Sequence, residues 1–313
     1  MKKILTSSVA LSLIVGCLLS TSVKASAAEP TAPPGEESAI SYSRSIEPRV
    51  TKREYSLSRV ASRSVGNYPS VRVYNNARES IEGRRINGEV YIPMRQFVES
   101  VSSARVSYSS ASRTMSVSGS GYNISVSDGA YALYASGRVM FSATPSAVMD
   151  DGRMYVPARI LAKALSLSFY ERGGAAHIDG TARPVTPGDR FYREDEVLWL
   201  ARIISAESRG EPLIGQIAVG NVVLNRVRSP QFPNTIWSVI FDRKYGVQFS
   251  PVANGTIYNT PSATCTLAAK ICLEGFSLSD DILYFLSYRA SSSSWIQNNR
   301  EYAFSIGGHN FFN

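Results

Sequence analysis

The sequence predicts an α+β chain of two folded parts: a small β-rich α+β repeat domain, then a mainly α domain. Three observations predict it. Between residues 68 and 180, short runs alternate apolar and polar residues, and a nine-residue phrase occurs twice. Beyond residue 190 the apolar residues switch to helical spacing. Between the two, 181–190 carries Pro184, Pro187 and Gly188 and reads as a linker.

At the start, Met1-Lys2-Lys3, the apolar run Ile4 to Leu19 and the small-residue end Ala25-Ser26-Ala27-Ala28 read as a secretory signal peptide over 1–28, cut after Ala27 or Ala28. Ser7, Ser8 and Ser12 interrupt the run, which is too short for a spanning helix, so no stable membrane span is expected. Ile14-Val15-Gly16-Cys17 offers a rival reading as a lipoprotein site with a lipidated Cys17. Leu18 and Leu19 continue the apolar run where a polar tether would begin, which favours the signal peptide. Residues 29–67, rich first in Pro, Ala and Glu and then in Ser and Arg, read as a disordered or loosely packed linker.

The first domain is expected over 68–180. Val71-Arg72-Val73-Tyr74, Val106-Ser107-Tyr108, Thr114 to Ser118 and Tyr122 to Val126 alternate as strands do. Asn87-Gly88-Glu89-Val90-Tyr91-Ile92-Pro93-Met94-Arg95 matches Asp151-Gly152-Arg153-Met154-Tyr155-Val156-Pro157-Ala158-Arg159 at an offset of 64 residues. Each copy reads as a turn, a short strand and a helix opened by Pro, over 94–103 and 158–166, followed by a strand at 105–108 and 168–171. This unit resembles the copper amine oxidase N-terminal-like domain, a module of exported Gram-positive proteins, over about Val71 to Gly180. The resemblance implies a wall-attachment or spacer role. No copper is expected, because His177 is the single His of the region and no Cys or His cluster accompanies it.

The second domain is expected over 191–313, opening with a helix from about Arg193 to Ser208. Val197, Leu200 and Ile204 fall on one face at three-then-four spacing, and the next position in the series is Glu207. A carboxylate there is unfavourable unless it is hydrogen-bonded, protonated or open to a cleft. A carboxyl pKa raised by desolvation suits a general acid near neutral pH. The competing reading is a partly exposed Glu in the last helical turn, or one paired with Arg209 or Arg226. Gly210 is expected to end this helix in the left-handed conformation and Pro212 to open the next, which puts Glu211 at or beside an N-cap, where the helix dipole explains an acid.

The helix from Pro212 to about Val227 is apolar nearly all round and therefore central. Asn221 and Asn225 interrupt it, either as partners of Glu207 or substrate or as structural pairs. Ser229 to Pro233 stops it, and Asn234-Thr235 caps a short helix through Phe241. Tyr245 to Gly255 reads as irregular, either lining a carbohydrate groove, with Tyr245 or Phe249 stacking on a sugar and Gln248 bonding to it, or plugging the core. Thr260-Pro261 starts a helix ending at Gly275, and Ile282 to Leu286 reads as a strand. The aromatic tail, with Trp295, Tyr302, Phe304, His309, Phe311 and Phe312, reads as a hairpin turning at Gly307-Gly308. Cys265 and Cys272 lie two helical turns apart, about 10 Å, too far for a disulfide.

Ala201 to Pro212, Gly215 to Val227, Phe232 to Ile236, Gln248-Phe249-Ser250-Pro251 and Gly308-His309-Asn310-Phe311 together resemble the cell-wall hydrolase family of spore cortex-lytic enzymes (SleB/CwlJ type), across Tyr192 to Phe312. The resemblance implies a lysozyme-like fold, lytic transglycosylase chemistry on peptidoglycan glycan strands, and Glu207 as the catalytic acid. Candidate substrate-binding residues are Tyr245, Gln248, Phe249, Asn225, Trp295 and His309. Well-known members carry a peptidoglycan-binding repeat ahead of the catalytic domain where this chain has the repeat module. Spore cortex and vegetative wall therefore both stand as substrates, and the expected location is secreted, at the cell wall or spore envelope.

The 313 residues carry a formal net charge of +8, with a pI near 9.4. That favours approach to anionic wall polymers or acidic headgroups; nucleic acid is not expected for an exported protein. The only two His, His177 and His309, fall in different domains, which excludes zinc amidases and endopeptidases. A Cys-His peptidase would need a reactive thiol in a helix interior. No metal or cofactor is expected. Hydrolysing glycosidases pair two carboxylates, whereas Asp242, Asp280, Asp281 and Glu274 read as segment-end or turn residues, so one Glu is expected to act alone. The alternative is a non-catalytic wall-binding protein with Glu207 as a paired structural carboxylate.

Overall fold

Residues 64–76, 79–244, 246–287 and 294–313 are described by a computed structural model. The expected signal peptide with Cys17, residues 29–63 of the expected linker, and Tyr245 lie outside the described residues. The architecture is α+β, as the patterning predicts.

The first domain holds β1 (Ser70–Asn75), β2 (Glu79–Ile86), β3 (Glu89–Pro93), α1 (Met94–Val101), β4 (Arg105–Ser109), β5 (Thr114–Gly119), β6 (Tyr122–Ser127), β7 (Ala132–Ala135), β8 (Arg138–Phe141), β9 (Val148–Asp150), β10 (Arg153–Pro157), α2 (Ala158–Ala164), β11 (Ser168–Arg172) and β12 (Ala175–Asp179). They form a seven-stranded sheet, ordered β11-β12-β1-β2-β3-β10-β9, and a five-stranded meander, β4 to β8. The two copies of the repeated phrase pair with each other: β3 and β10 run antiparallel with Ile92 opposite Val156. Both copies use the same turn. Asn87 and Gly88 have φ of 50° and 85°, Asp151 and Gly152 45° and 70°, the positive-φ pair that short hairpin turns require. Both helices start at a proline N-cap, Pro93 and Pro157. One strand position alternates in the core while its neighbours face out, as in β5, where Met115 and Val117 are buried.

Packing begins earlier than Tyr68. Val65 is fully buried beside Ile86 and Tyr91, inside the stretch expected as linker. The expected linker 181–190 is also packed: Val185 is buried in the first domain's core, Arg183 N–H donates to Leu165 O at 2.9 Å, and Gly188 N–H donates to Ser136 O at 2.8 Å. A Cβ on Gly188 would stand 2.5 Å from Gly137 O, so glycine is needed for that approach.

The second domain holds α3 (Gly188–Phe191), α4 (Glu194–Ser208), α5 (Leu213–Arg228), α6 (Ile236–Ile240), α7 (Ser250–Asn254), α8 (Ala263–Leu273), β13 (Tyr284–Ser287), α9 (Ser294–Asn299), β14 (Tyr302–Ile306) and β15 (His309–Phe312). Helices α4, α5 and α8 pack together. Gly220 on α5 lets Ile204 of α4 and Cys272 of α8 close in; a Cβ there would lie 2.9 and 2.7 Å from their side chains. Cys265 and Cys272 are buried and free. The tail forms a hairpin at Gly307-Gly308, as expected, within a sheet ordered β13-β15-β14. Two short helices, α7 and α9, occupy segments that the sequence reads as irregular or as part of the hairpin tail; at five and six residues they are too short for a periodic pattern to show.

The two domains share a buried ion cluster. The Glu274 side chain, 2% exposed, accepts from Arg138 Nε and Nη2 at 2.9 and 2.7 Å and from Tyr192 Oη at 2.7 Å, with Lys163 Nζ 2.9 Å away. The Arg138 guanidinium lies 3.4 Å over the Phe191 ring. Val139 and Phe141 of β8 join the second domain's core, with Phe141 edge-on to Phe276 at 4.7 Å. Burial acts to raise the Glu274 pKa, but the hydrogen bonds from Arg138, Tyr192 and Lys163 outweigh it and hold the carboxyl below its usual value. Removing one member of such a cluster leaves uncompensated buried charge. Glu274→Ala should therefore lower unfolding free energy by about 3–5 kcal/mol in denaturant titration at neutral pH. Because the folded pKa is depressed, the loss should shrink as pH falls through the carboxylate range.

Candidate active site

Glu207 owes its position to the helix that carries it. Leu200, Ile203 and Ile204 of α4 are fully buried, and the same face carries Glu207, half-buried, into the wall of a cleft of about 1780 Å³. Among the described residues, no hydrogen bond or ion pair reaches its carboxyl group. Neither expected arginine partners it. Arg226 is buried, donates from Nε to Leu283 O at 2.7 Å and sits among the rings of Phe232, Phe249 and Tyr284 at 4.9 to 5.4 Å. Burial lowers its pKa to about 10. Burial alone raises Glu207 from 4.5 to about 7. An unpartnered carboxyl open to a cleft and poised near neutrality can give up a proton and take one back.

The chain between α4 and α5 differs from expectation. Gly210 does not adopt the left-handed conformation; Arg209 stays helical at φ −53°, and Glu211 N–H donates to Ser208 O at 2.9 Å. Pro212 is the N-cap of α5, so Glu211 does stand beside a cap. Its carboxylate, however, reaches across to the β14–β15 turn. Oε2 accepts from Gly308 N–H at 2.9 Å, and Oε1 lies 3.5 Å from His309 Nδ1. Gly307, at φ 54°, lies so close to that carboxylate that an added Cβ would collide with it. His309 is buried and edge-on to Phe285 at 5.6 Å. Burial lowers its pKa, against the pull of Glu211.

Of the sequence-predicted residues, the structure brings Gln248, Phe249, Trp295 and His309 into one cleft with Glu207. Trp295 is 56% exposed, with the Arg300 guanidinium 5.0 Å over its ring. Gln248 donates to Gly246 O at 3.2 Å. Phe249 is only 3% exposed and packs on Phe285 and Arg226, so it floors the cleft and has no ring face free for stacking. Asn225 does not join the site. It donates to Ser279 O and Ile282 O at 2.9 and 3.0 Å and accepts from Arg228, fixing the 279–282 segment on α5. Asn221 does the same for Phe276 O and Leu278 N–H. Both are the structural pairs of the competing reading.

Sequence reasoning missed Glu211, Arg226 and Asp242 as cleft residues. Asp242 is a segment-end residue as expected, yet it faces the cleft, with Oδ1 accepting from Lys244 N–H at 2.9 Å. The adjacency of Phe241-Asp242 to a predicted short helix gave no sign of this, because the approach of 242 to 207 is made by the tertiary fold.

A helical domain is thus joined to a β-rich repeat domain, and among the described residues its Glu207 stands desolvated and unpaired in a cleft. The second domain belongs to the cell wall hydrolase family, whose model matches residues 210–312, and the copper amine oxidase N-terminal domain model matches 77–175. The cell wall hydrolase match begins three residues after Glu207. A spore cortex-lytic enzyme of Bacillus cereus is 38% identical over 120 residues, 38% of this chain and 45% of that protein. One of Oceanobacillus iheyensis is 34% identical over 142 residues, 44% and 50% of the two chains. The chain thus spans half or less of the length of these relatives. The solved catalytic domain of the germination-specific lytic transglycosylase SleB from Bacillus anthracis is 37% identical and matched along 100% of its length and 41% of this chain, at a TM-score of 0.36.

Two predictions follow from the site's electrostatics and its turn. A carboxyl whose folded pKa lies above its unfolded value costs stability once pH exceeds that unfolded value, and the cost is complete above the folded one. Glu207→Gln should therefore be neutral below pH 4.5 and stabilising by up to about 3 kcal/mol above pH 7, read as a melting temperature that gains on wild type as pH rises. Gly307→Ala should cost at least about 1 kcal/mol through its positive φ, in thermal melts at fixed pH.

Proposed function

We propose that this protein is exported to the cell wall or spore envelope and cleaves peptidoglycan glycan strands as a lytic transglycosylase, with Glu207 as its single catalytic residue. The observation that carries this reading is the Glu207 carboxyl: in the cleft wall, unpaired among the described residues, and raised to about 7 by burial. Protonated, Glu207 donates to the glycosidic oxygen between muramic acid and glucosamine, and the C–O bond breaks. The substrate's own acetamido group stabilises the positive charge at the anomeric carbon. The Glu207 carboxylate then takes the proton of the sugar's primary hydroxyl as that oxygen closes the anhydro ring, which restores the acid. A pKa near the working pH serves both halves of this cycle.

Glu211 and Asp242 share the cleft, but each already holds a backbone N–H, and Glu211 is braced against His309. This engagement favours Glu207 acting alone over a two-carboxylate hydrolysis. Trp295 supplies a stacking face, while Gln248 and His309 supply polar contacts to the sugar; Tyr245 is proposed to join them from the loop beside Gln248. The basic charge of +8 supports approach to anionic wall polymers. The relatives are spore cortex-lytic enzymes, which makes cortex the first substrate to test, beside vegetative wall.

Mass spectrometry of fragments released from purified cortex and from vegetative sacculi, by wild type beside Glu207→Gln, checks the proposal. Anhydromuramic ends from wild type alone are expected. Reducing ends would indicate hydrolysis with a second acid, and retention on the wall with no release would indicate a binding protein.

A further inference from the structure

A second aromatic surface lies outside the cleft. Trp237 on α6 is 54% exposed, and Tyr258, which follows α7 in a short 3-10 turn, is 59% exposed. Phe241 and Trp199 join them: Trp237 and Phe241 lie 4.8 Å apart at 31°, Trp199 meets Phe241 at 5.2 Å and Tyr258 at 6.2 Å. Arg202 lies 4.9 Å over the Trp199 ring, which places a guanidinium beside this shelf.

Two exposed rings backed by two half-buried ones make an apolar surface of the kind that marks binding sites. Exposed Trp and Tyr held rigid by other rings, with a guanidinium beside them, match a sugar ring, whose faces are apolar and whose rim is hydroxylated. Three chain segments carry residues of both the shelf and the cleft. Asp242 of the cleft directly follows Phe241. Ala253 of the cleft lies on α7, which packs against the turn that carries Tyr258. Glu207 lies eight residues from Trp199 on the same helix, about 12 Å along its axis. A polymer threaded past Glu207 therefore meets the shelf within a few sugars.

We infer that Trp199, Trp237, Phe241 and Tyr258 form a distal carbohydrate subsite that holds the glycan strand beyond the cleft. The inference rests on the glycan-cleaving reading above. It makes the enzyme favour long strands, because a short oligosaccharide fills the cleft without reaching the shelf.

The test uses the full chain with Glu207→Gln to stop cleavage, and calorimetric titration with peptide-free glycan strands and with a purified tetrasaccharide. Trp237→Ala with Tyr258→Ala should weaken long-strand binding at least about tenfold and leave the tetrasaccharide unchanged. Trp237→Phe with Tyr258→Phe keeps the rings and should restore most of the affinity. Unchanged long-strand binding, or an equal loss for both ligands, overturns the subsite. The two readings fail separately: wild type that binds strands with shelf dependence but releases no fragments loses only the cleavage reading. Wild type that cleaves with no shelf dependence loses only the subsite.

Discussion

The burial of one carboxyl group that has no partner among the described residues is the constraint around which the cleft of the second domain is arranged. Helix α4 places Leu200, Ile203 and Ile204 in the core, and the next position on that face is Glu207, so the helix cannot bury its apolar side without desolvating an acid. Among the described residues no pairing offsets the desolvation, and the pKa rises to about 7. The same group placed beside Arg226 would be held ionised. It is not, because that guanidinium is enclosed by Phe232, Phe249 and Tyr284 and fixed to Leu283 O. Glu207 and Arg226 are both cleft residues, yet no ion pair joins them among the described residues.

The neighbouring acid shows the opposite treatment. Glu211, four residues on, holds the N–H of Gly308 and stands against His309, so its charge organises the β14–β15 turn that forms one wall of the cleft. Two glutamates of one short segment thus divide the work by environment: one is left free and hard to ionise, the other is bonded and structural. Further out, Glu274 ties Arg138, Lys163 and Tyr192 into the contact between domains, which makes the β-rich domain part of the scaffold that supports the second domain's helices.

Much of this was legible in the sequence where a local rule governs it. The paired repeat copies, the proline-opened helices, the Thr235 cap, which accepts from Ser238 N–H at 3.1 Å, and the Gly307-Gly308 turn each follow from residue chemistry within a few positions. Glu207 was legible for the same reason, as the break in an apolar stripe. Asn225 failed because an amide on a buried helix has the same pattern whether it faces a substrate or two backbone carbonyls. Phe249 lies in the cleft, but its depth was unreadable from a loop sequence. The packed linker at Val185 and the reach of Glu211 to Gly308 depend on contacts between residues far apart in the chain, which no periodicity encodes.

Where α4 puts Glu207, its carboxyl titrates near neutrality instead of in the ordinary carboxylate range. Infrared difference spectra between wild type and Glu207→Gln, taken across a pH series, measure that directly. The account predicts a protonated carboxyl band in wild type below neutrality that converts to carboxylate with a midpoint near 7. A carboxylate band already complete at pH 5 would contradict it.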